Sequence, residues 1–359
     1  MGQAQLKTQT NTPLRLDHLA IWVEDMERTT SFLTNIVGWK RHPMLVEVSA
    51  DDPTTGGMEA VFIDGQGLWL EMILPTSPGP GQDILEEKGD GAIVEVNFEA
   101  VDEDYMNILQ SMEELGVQML AMDGSPLENG GRIQEGVRGN EDSHEAGQKI
   151  AYWPTDMSGG TTVEIYEKIS GDDTSLLNIR DAQWQAQAHD PSAPRIDHVS
   201  IIVEDAEKTA AFYTDIMGLA RKADKFDLGD ESEELFGSFD AIWIDANGVW
   251  LELVQPTGPG PLMDILKEKG TGHPLEIIAE VDDIDAYYDL VKSRGVNMVT
   301  FDGTPLSDEE KAQLIPATGD RIAYFPQEVS CGMTIEVYER GPVETSALHR
   351  RDNSQQETR

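Results

Sequence analysis

The chain of 359 residues says nearly the same thing twice. Residues 16–38 read LDHLAIWVEDMERTTSFLTNIVG and residues 196–218 read IDHVSIIVEDAEKTAAFYTDIMG, with twelve of 23 positions identical at a constant offset of 180. The echo continues in GLWLEMILPTSPGPGQDILEEKGDG (67–91) against GVWLELVQPTGPGPLMDILKEKGTG (248–272). It closes with IAYWPTDMSGGTTVEIYEK (150–168) against IAYFPQEVSCGMTIEVYER (322–340). Solenoid repeats run about 20–50 residues, so a period this long marks a duplicated domain, and each copy is large enough to bury a core of its own. The expected organisation is a flexible N-terminus (1–14), domain 1 (15–169), a polar linker (170–194), domain 2 (195–340) and a flexible tail (341–359).

Within each copy the apolar periodicity predicts a short alternating strand (16–23; 196–203), then a helix with Gly38 or Gly218 past its end. Strands over 58–63 and 68–74, a Pro-Gly-Pro loop and a short helix (83–88) follow. A second cycle runs from a strand at 92–101 through a helix at 105–115 to strands at 117–120, 149–153 and 161–166. Each domain is therefore strand–helix–strands performed twice, an α+β arrangement. The net charge of −41 argues against nucleic acid and anionic membranes as partners. A single cysteine, Cys331, allows no intramolecular disulfide and no cysteine metal site. With no apolar run of about 18 residues and no leader-like start, a cytoplasmic protein is expected.

Four side chains with metal-ligand chemistry recur at matching strand positions: His18, Glu71, Glu95 and Glu164, then His198, Glu252, Glu276 and Glu336. Their intervals are 53, 24 and 69 residues in the first copy and 54, 24 and 60 in the second. The difference falls in the stretch 127–148, which includes His144; loops absorb insertions and strands do not. Imidazole plus carboxylates is a divalent-metal ligand set. Carboxylates set in WLEMI, WLELV and TVEIY would be expensive to bury without a cation or hydrogen-bond partners. Strict alternation predicts that Glu71 shares a face with Trp69 and Ile73, that His18 shares one with Leu16 and Ala20, and that His273 lies opposite Glu276.

At these residues the chain resembles the vicinal oxygen chelate (glyoxalase / bleomycin resistance / dioxygenase) superfamily. The resemblance implies two tandem domains, each a pair of βαβββ units forming a curved, partly open barrel around one metal. The opening (L/I)DH(L/V)(A/S)I, the DILEEKGDG and DILKEKGTG segments and the closing VEIYE and IEVYE most resemble the methylmalonyl-CoA epimerase family. Carried over by position, His18/His198, Glu71/Glu252 and Glu164/Glu336 match the family's ligands. Where the family usually has a second histidine this chain has Glu95 and Glu276. A one-His, three-Glu set favours hard ions such as Mn²⁺, Mg²⁺ or Ca²⁺ over Zn²⁺; Co, Ni and Fe also belong to the range, one ion per domain. Alternatively one Glu is a base, with Glu95/Glu276 and Glu164/Glu336 the candidates. No carboxylate matches the family's other base with certainty; Glu59, Glu234 and Asp240 lie nearby. Lys88, Lys267 and Lys269 are the candidates for a basic patch.

The expected activity is a metal-dependent lyase or isomerase acting on a small oxygen-rich substrate through an enolate-like intermediate. The alternatives are an extradiol-type ring-cleaving dioxygenase and a non-catalytic drug-binding protein. Two joined domains could suffice as a monomeric pseudo-dimer, with a homodimer as the other form.

Overall fold

The computed structural model describes residues 14–52, 55–101, 103–128, 130, 149–168, 190–222, 233–316 and 318–342. His144, most of the 127–148 stretch and most of the 170–194 stretch lie outside them. Residues 15–168 supply β1 (Arg15–Trp22), β2 (Lys40–Val48), β3 (Met58–Asp64), β4 (Trp69–Pro75), β5 (Ala92–Val101), β6 (Ile150–Tyr152) and β7 (Val163–Lys168). They form one open sheet in the order β2-β3-β4-β1-β5-β7-β6. Residues 195–339 repeat the plan with β8 (Arg195–Ile202), β9 (Ala220–Arg221), β10 (Phe239–Asp245), β11 (Trp250–Pro256), β12 (His273–Glu280), β13 (Gln313–Leu314), β14 (Arg321–Tyr324) and β15 (Ile335–Glu339). Their order is β13-β14-β15-β12-β8-β11-β10-β9.

In both sheets the first strands of the two βαβββ units meet antiparallel at the centre, β1 on β5 and β8 on β12. Each is flanked on its other side by a parallel strand of its own unit. Parallel pairs need a crossover, and the helical segments after β1, β5, β8 and β12 supply it. The repeated Val-Glu-Asp sets where the first helix begins: Asp25 and Asp205 are N-caps whose side chains accept from the Arg28 and Lys208 amides. Each of these helices widens into a π-turn, Phe32–Val37 and Phe212–Ile216. The first ends on Gly38 at φ 103°, a left-handed conformation that glycine adopts without steric penalty.

Some local expectations are corrected. The stretch 117–120 is no strand; Leu120 makes only isolated bridges to Pro126 and Tyr152. A strand unforeseen in the sequence, β2, pairs with β3 as an edge. Alternation assigns one face of each sheet to a continuous apolar core shared by both halves, including Leu19, Ile21, Leu70 and Val96 with Val199, Ile201, Leu251 and Ile277. The other face is concave. Its own apolar groups include Trp22, Phe62 and Trp69 in the first half and Trp243, Trp250 and Val254 in the second.

The halves meet about an approximate two-fold axis. The Leu16 amide donates to Ala246 O at 3.0 Å, and the Ile196 amide donates to Gly65 O at 2.8 Å. Phe32 packs edge-on against Phe325 at 5.2 Å, and Trp153 packs edge-on against Phe212 at 5.8 Å. No described helix is long and apolar enough to cross a membrane.

Candidate functional site

Register fixes which side chains can meet. In the first half His18 pairs with Trp69 and Asn97, Ala20 pairs with Glu71 and Glu95, and Asn97 pairs with Glu164 across β7. Paired residues on neighbouring strands project from the same face, so His18, Glu71, Glu95 and Glu164 all emerge on the concave side. In the second half His198, Glu252, Glu276 and Glu336 do the same, and all four line one cavity of about 120 Å³. The sequence therefore located eight side chains that the fold gathers into two clusters.

Two bulges shape each cluster, and both overturn alternation. In β1 the pairing skips Asp17 between Leu16 and His18, and in β8 it skips Asp197 between Ile196 and His198. Leu16 therefore turns into the shared core, not onto the face of His18 as expected. The extra residue brings its carboxylate to the ring that follows it. His18 Nδ1 donates to Asp17 Oδ2 at 3.0 Å, and His198 Nδ1 donates to Asp197 Oδ2 at 2.8 Å. This fixes each imidazole with Nε2 directed away from the aspartate, and bulges commonly serve to re-aim a side chain. Arg15 and Arg195 lie 3.7 Å from Asp17 and Asp197.

The second bulge skips Val94 in β5 and Leu275 in β12. His273 and Glu276 pair with Ile202 and Ser200, which share a face, so His273 is not opposite Glu276 as alternation predicts. It still takes no part in the cavity lining. Burial and the nearby Lys269 and Lys88 push its pKa down.

The clusters are electrostatically loaded. His18 is 5% exposed and its Nε2 lies 3.5 Å from Glu71 Oε2. Burial alone would lower its pKa, but hydrogen bonds and charge from Asp17 and Glu71 prevail and raise it to about 10. Burial pushes Glu95 well above the carboxylate range, and the charges of Glu164 and Glu71 push it further. Glu276 behaves alike, with burial first and then Glu336 and Glu252. Glu336 rises to about 7, through burial and the charge of Asp320, against a lowering hydrogen bond from Tyr324.

Several partners escaped sequence reading. The Tyr152 hydroxyl donates to Glu164 Oε2, and the Tyr324 hydroxyl to Glu336 Oε2. Asp320 is a fourth carboxylate on the second cavity. Asp17/Asp197 and Tyr152/Tyr324 had a signal, since each stands in a repeated string (DH; IAY). Asn97 and Ser200 had none, because the repeat replaces them with Ile278 and Ala20. Among the described groups, the Asn97 Nδ2 and Oδ1 and the Ser200 Oγ are buried without a hydrogen-bond partner, which costs about 1–3 kcal/mol per group.

The other candidates are placed elsewhere. Glu59 and Asp240 alternate with Met58, Ala60, Phe239 and Ala241 and so lie on the faces turned from the clusters. The side chain of Glu234 lies outside the described residues. Lys88, Lys267 and Lys269 are exposed and ion-paired with acids of their own helices. A larger cleft of about 730 Å³ adjoins the second cavity, sharing Leu275, Glu276 and Tyr324; its charged lining groups, Glu276, Asp302 and Glu328, are all acidic.

Imidazole nitrogen and carboxylate oxygens are the donor set of a hard divalent cation, and buried carboxylates that hold protons against one another are the groups such a cation would relieve. In chemistry the residues fit. In their present rotamers, no group of three His, Cys, Asp or Glu among the described residues closes around one point tightly enough to hold an ion.

Residues 15–121 and 195–305 match the family model of the Glyoxalase/Bleomycin resistance protein/Dioxygenase superfamily, and the chain belongs to that family. It is 27% identical over 144 residues to mitochondrial methylmalonyl-CoA epimerase from Homo sapiens, covering 40% of this chain and 72% of the relative. It is 30% identical over 106 residues to ethylmalonyl-CoA/methylmalonyl-CoA epimerase from Cereibacter sphaeroides, covering 29% of this chain and 74% of that one. A mutant of 4-hydroxymandelate synthase from Streptomyces coelicolor shares the fold at TM-score 0.60 and 14% identity, over 96% of this chain and 99% of its own.

Proposed function

We propose that each domain holds one divalent cation, by His18, Glu71, Glu95 and Glu164 in the first and by His198, Glu252, Glu276 and Glu336 in the second. On this reading the chain is a lyase or isomerase that moves a proton on a small oxygen-rich substrate. The observation that carries it is the convergence of one imidazole and three carboxylates on the concave face of each sheet, four of them around a single cavity. A cation there would supply Lewis-acid polarisation of a substrate carbonyl.

The chain's own groups would do the rest. Glu95 and Glu276 hold protons more tightly than ordinary carboxylates. A carboxyl with raised proton affinity is suited to take a proton from substrate and return it. Asp17 and Asp197 orient the imidazoles. Tyr152 and Tyr324 hold Glu164 and Glu336 and present a hydroxyl beside them. Trp243 and the other apolar walls limit water.

The acidic lining of the adjoining cleft gives no counter-charge to a polyanionic carrier such as coenzyme A. A small substrate without one is therefore the preferred class. Metal content by elemental mass spectrometry tests the reading on wild type and on the paired Glu95→Gln/Glu276→Gln variant. About two equivalents of a divalent ion in wild type, reduced in the variant, is the expected result. Two equivalents retained in the variant would make the third Glu a base and not a ligand; no metal from metal-replete protein would sink the catalytic reading.

A further inference from the structure

The two clusters are not copies of one another. Asn97 is 1% exposed, stands in register between His18 and Glu164, and has neither carboxamide atom hydrogen-bonded. Its place in the second half is taken by Ile278, in register with His198 and Glu336 and lining that cavity with an apolar chain. The reverse holds one step along. Ser200, in register with Glu252 and Glu276, offers an unpartnered hydroxyl where the first half has Ala20.

We propose that the sites are unequal and that Asn97 makes them so, its carboxamide oxygen serving as an additional ligand that renders the first domain the tighter cation site. The inference rests on the reading that each domain holds a cation. Hard divalent ions take six or more oxygen ligands, and a neutral Asn carbonyl is among those they commonly use. It adds an oxygen without adding a fourth negative charge to a cluster that already carries three carboxylates. Asn97 lies between two of the four ligand positions, on the strand that also carries Glu95, so a carboxamide there faces the same space as the carboxylates. The free Nδ2 can then donate to Glu164 in place of the Tyr152 hydroxyl, which keeps the carboxamide oriented with its oxygen inward. Ile278 can do neither, and a serine hydroxyl is a single-atom substitute on a shorter arm.

The test is a titration of the full chain with Mn²⁺, following free ion by electron paramagnetic resonance. Wild type is expected to show two classes of site differing at least about tenfold in affinity, as for loss of a metal-supporting group. Asn97→Ile installs the residue that the same position of the sister sheet already accommodates. It should weaken the tight class about tenfold or more and leave the other unchanged. Ile278→Asn should tighten the weak class. Two indistinguishable classes in wild type, or a tight class unmoved by Asn97→Ile, would overturn this inference while leaving the two-cation reading intact. No Mn²⁺ bound by folded wild type would overturn both. Should Asn97→Ile fail to fold, as judged by circular dichroism, Ile278→Asn decides, and an unmoved weak class counts against the proposal.

Discussion

Buried acids at the two clusters couple the protein's stability to pH in a direction opposite to that of ordinary salt-bridged carboxylates. Glu336 has its pKa raised from 4.5 to about 7 in the folded chain. Its favourable contribution is present in full below pH 4.5 and is lost as pH rises through 7, because the fold binds a proton that the unfolded chain releases. His18, raised from 6.5 to about 10, acts in the same direction in a higher window: present below 6.5, lost through 10. Protein stripped of metal with a chelator is therefore expected to melt at falling temperature from pH 5 to pH 8. Glu336→Gln should remove part of that slope, about 2 kcal/mol after allowing for solvent at a half-buried carboxylate. Thermal melts at several pH values check it, and an equal slope in wild type and variant would show that Glu336 ionises freely.

At the level of elements, backbone meets backbone where the loops before β5 and β12 cross the opposite half. A Cβ on Gly91, at φ 78°, would strike the Cys331 carbonyl; on Gly332, at φ 81°, it would strike the Asp90 carbonyl. Gly272 and Gly160 meet reciprocally on the other side of the axis. A left-handed conformation costs a side-chain-bearing residue about 1–2 kcal/mol, and the clash with rigid backbone adds to it. Gly91→Ala or Gly332→Ala should thus lower unfolding free energy by more than about 2 kcal/mol, read by urea denaturation. Gly116→Ala is the control. Its φ is 73° but its Cβ would meet nothing, so it should show the conformational cost alone. Equal losses at Gly91 and Gly116 would mean that the crossing gives way.

For the molecule as a whole, one apolar core runs through both halves. The interface also carries buried hydrogen bonds: the Tyr287 hydroxyl donates to Val37 O at 3.0 Å and Arg294 Nη1 donates to Ile36 O at 2.7 Å. These supply partners for carbonyls at the end of the first helical segment, which has none of its own there. Neither half can expose that face without losing core, so the two are expected to unfold together. Scanning calorimetry should give a single transition with equal calorimetric and van't Hoff enthalpies. Two resolved transitions would show that the halves fold as independent units.

The duplication, the element order apart from β2 and the stretch 117–120, and the eight candidate ligand positions were legible in the residues, because an internal repeat supplies its own alignment and strand periodicity assigns faces locally. Glu71 shares a face with Trp69 and Ile73, and His18 shares one with Ala20, as alternation requires. What the tertiary structure decided lies beyond the bulges. A single extra residue at Asp17, Val94, Asp197 or Leu275 exchanges the faces of everything after it, and a bulge is selected by pairing with a partner strand, not by its own sequence. That is why Leu16 and His273 stand where alternation did not put them, and why Asp17 reaches the ring beside it. Asn97 and Tyr152 come from strands far along the chain from His18, and only the register of β5 and β7 brings them to it.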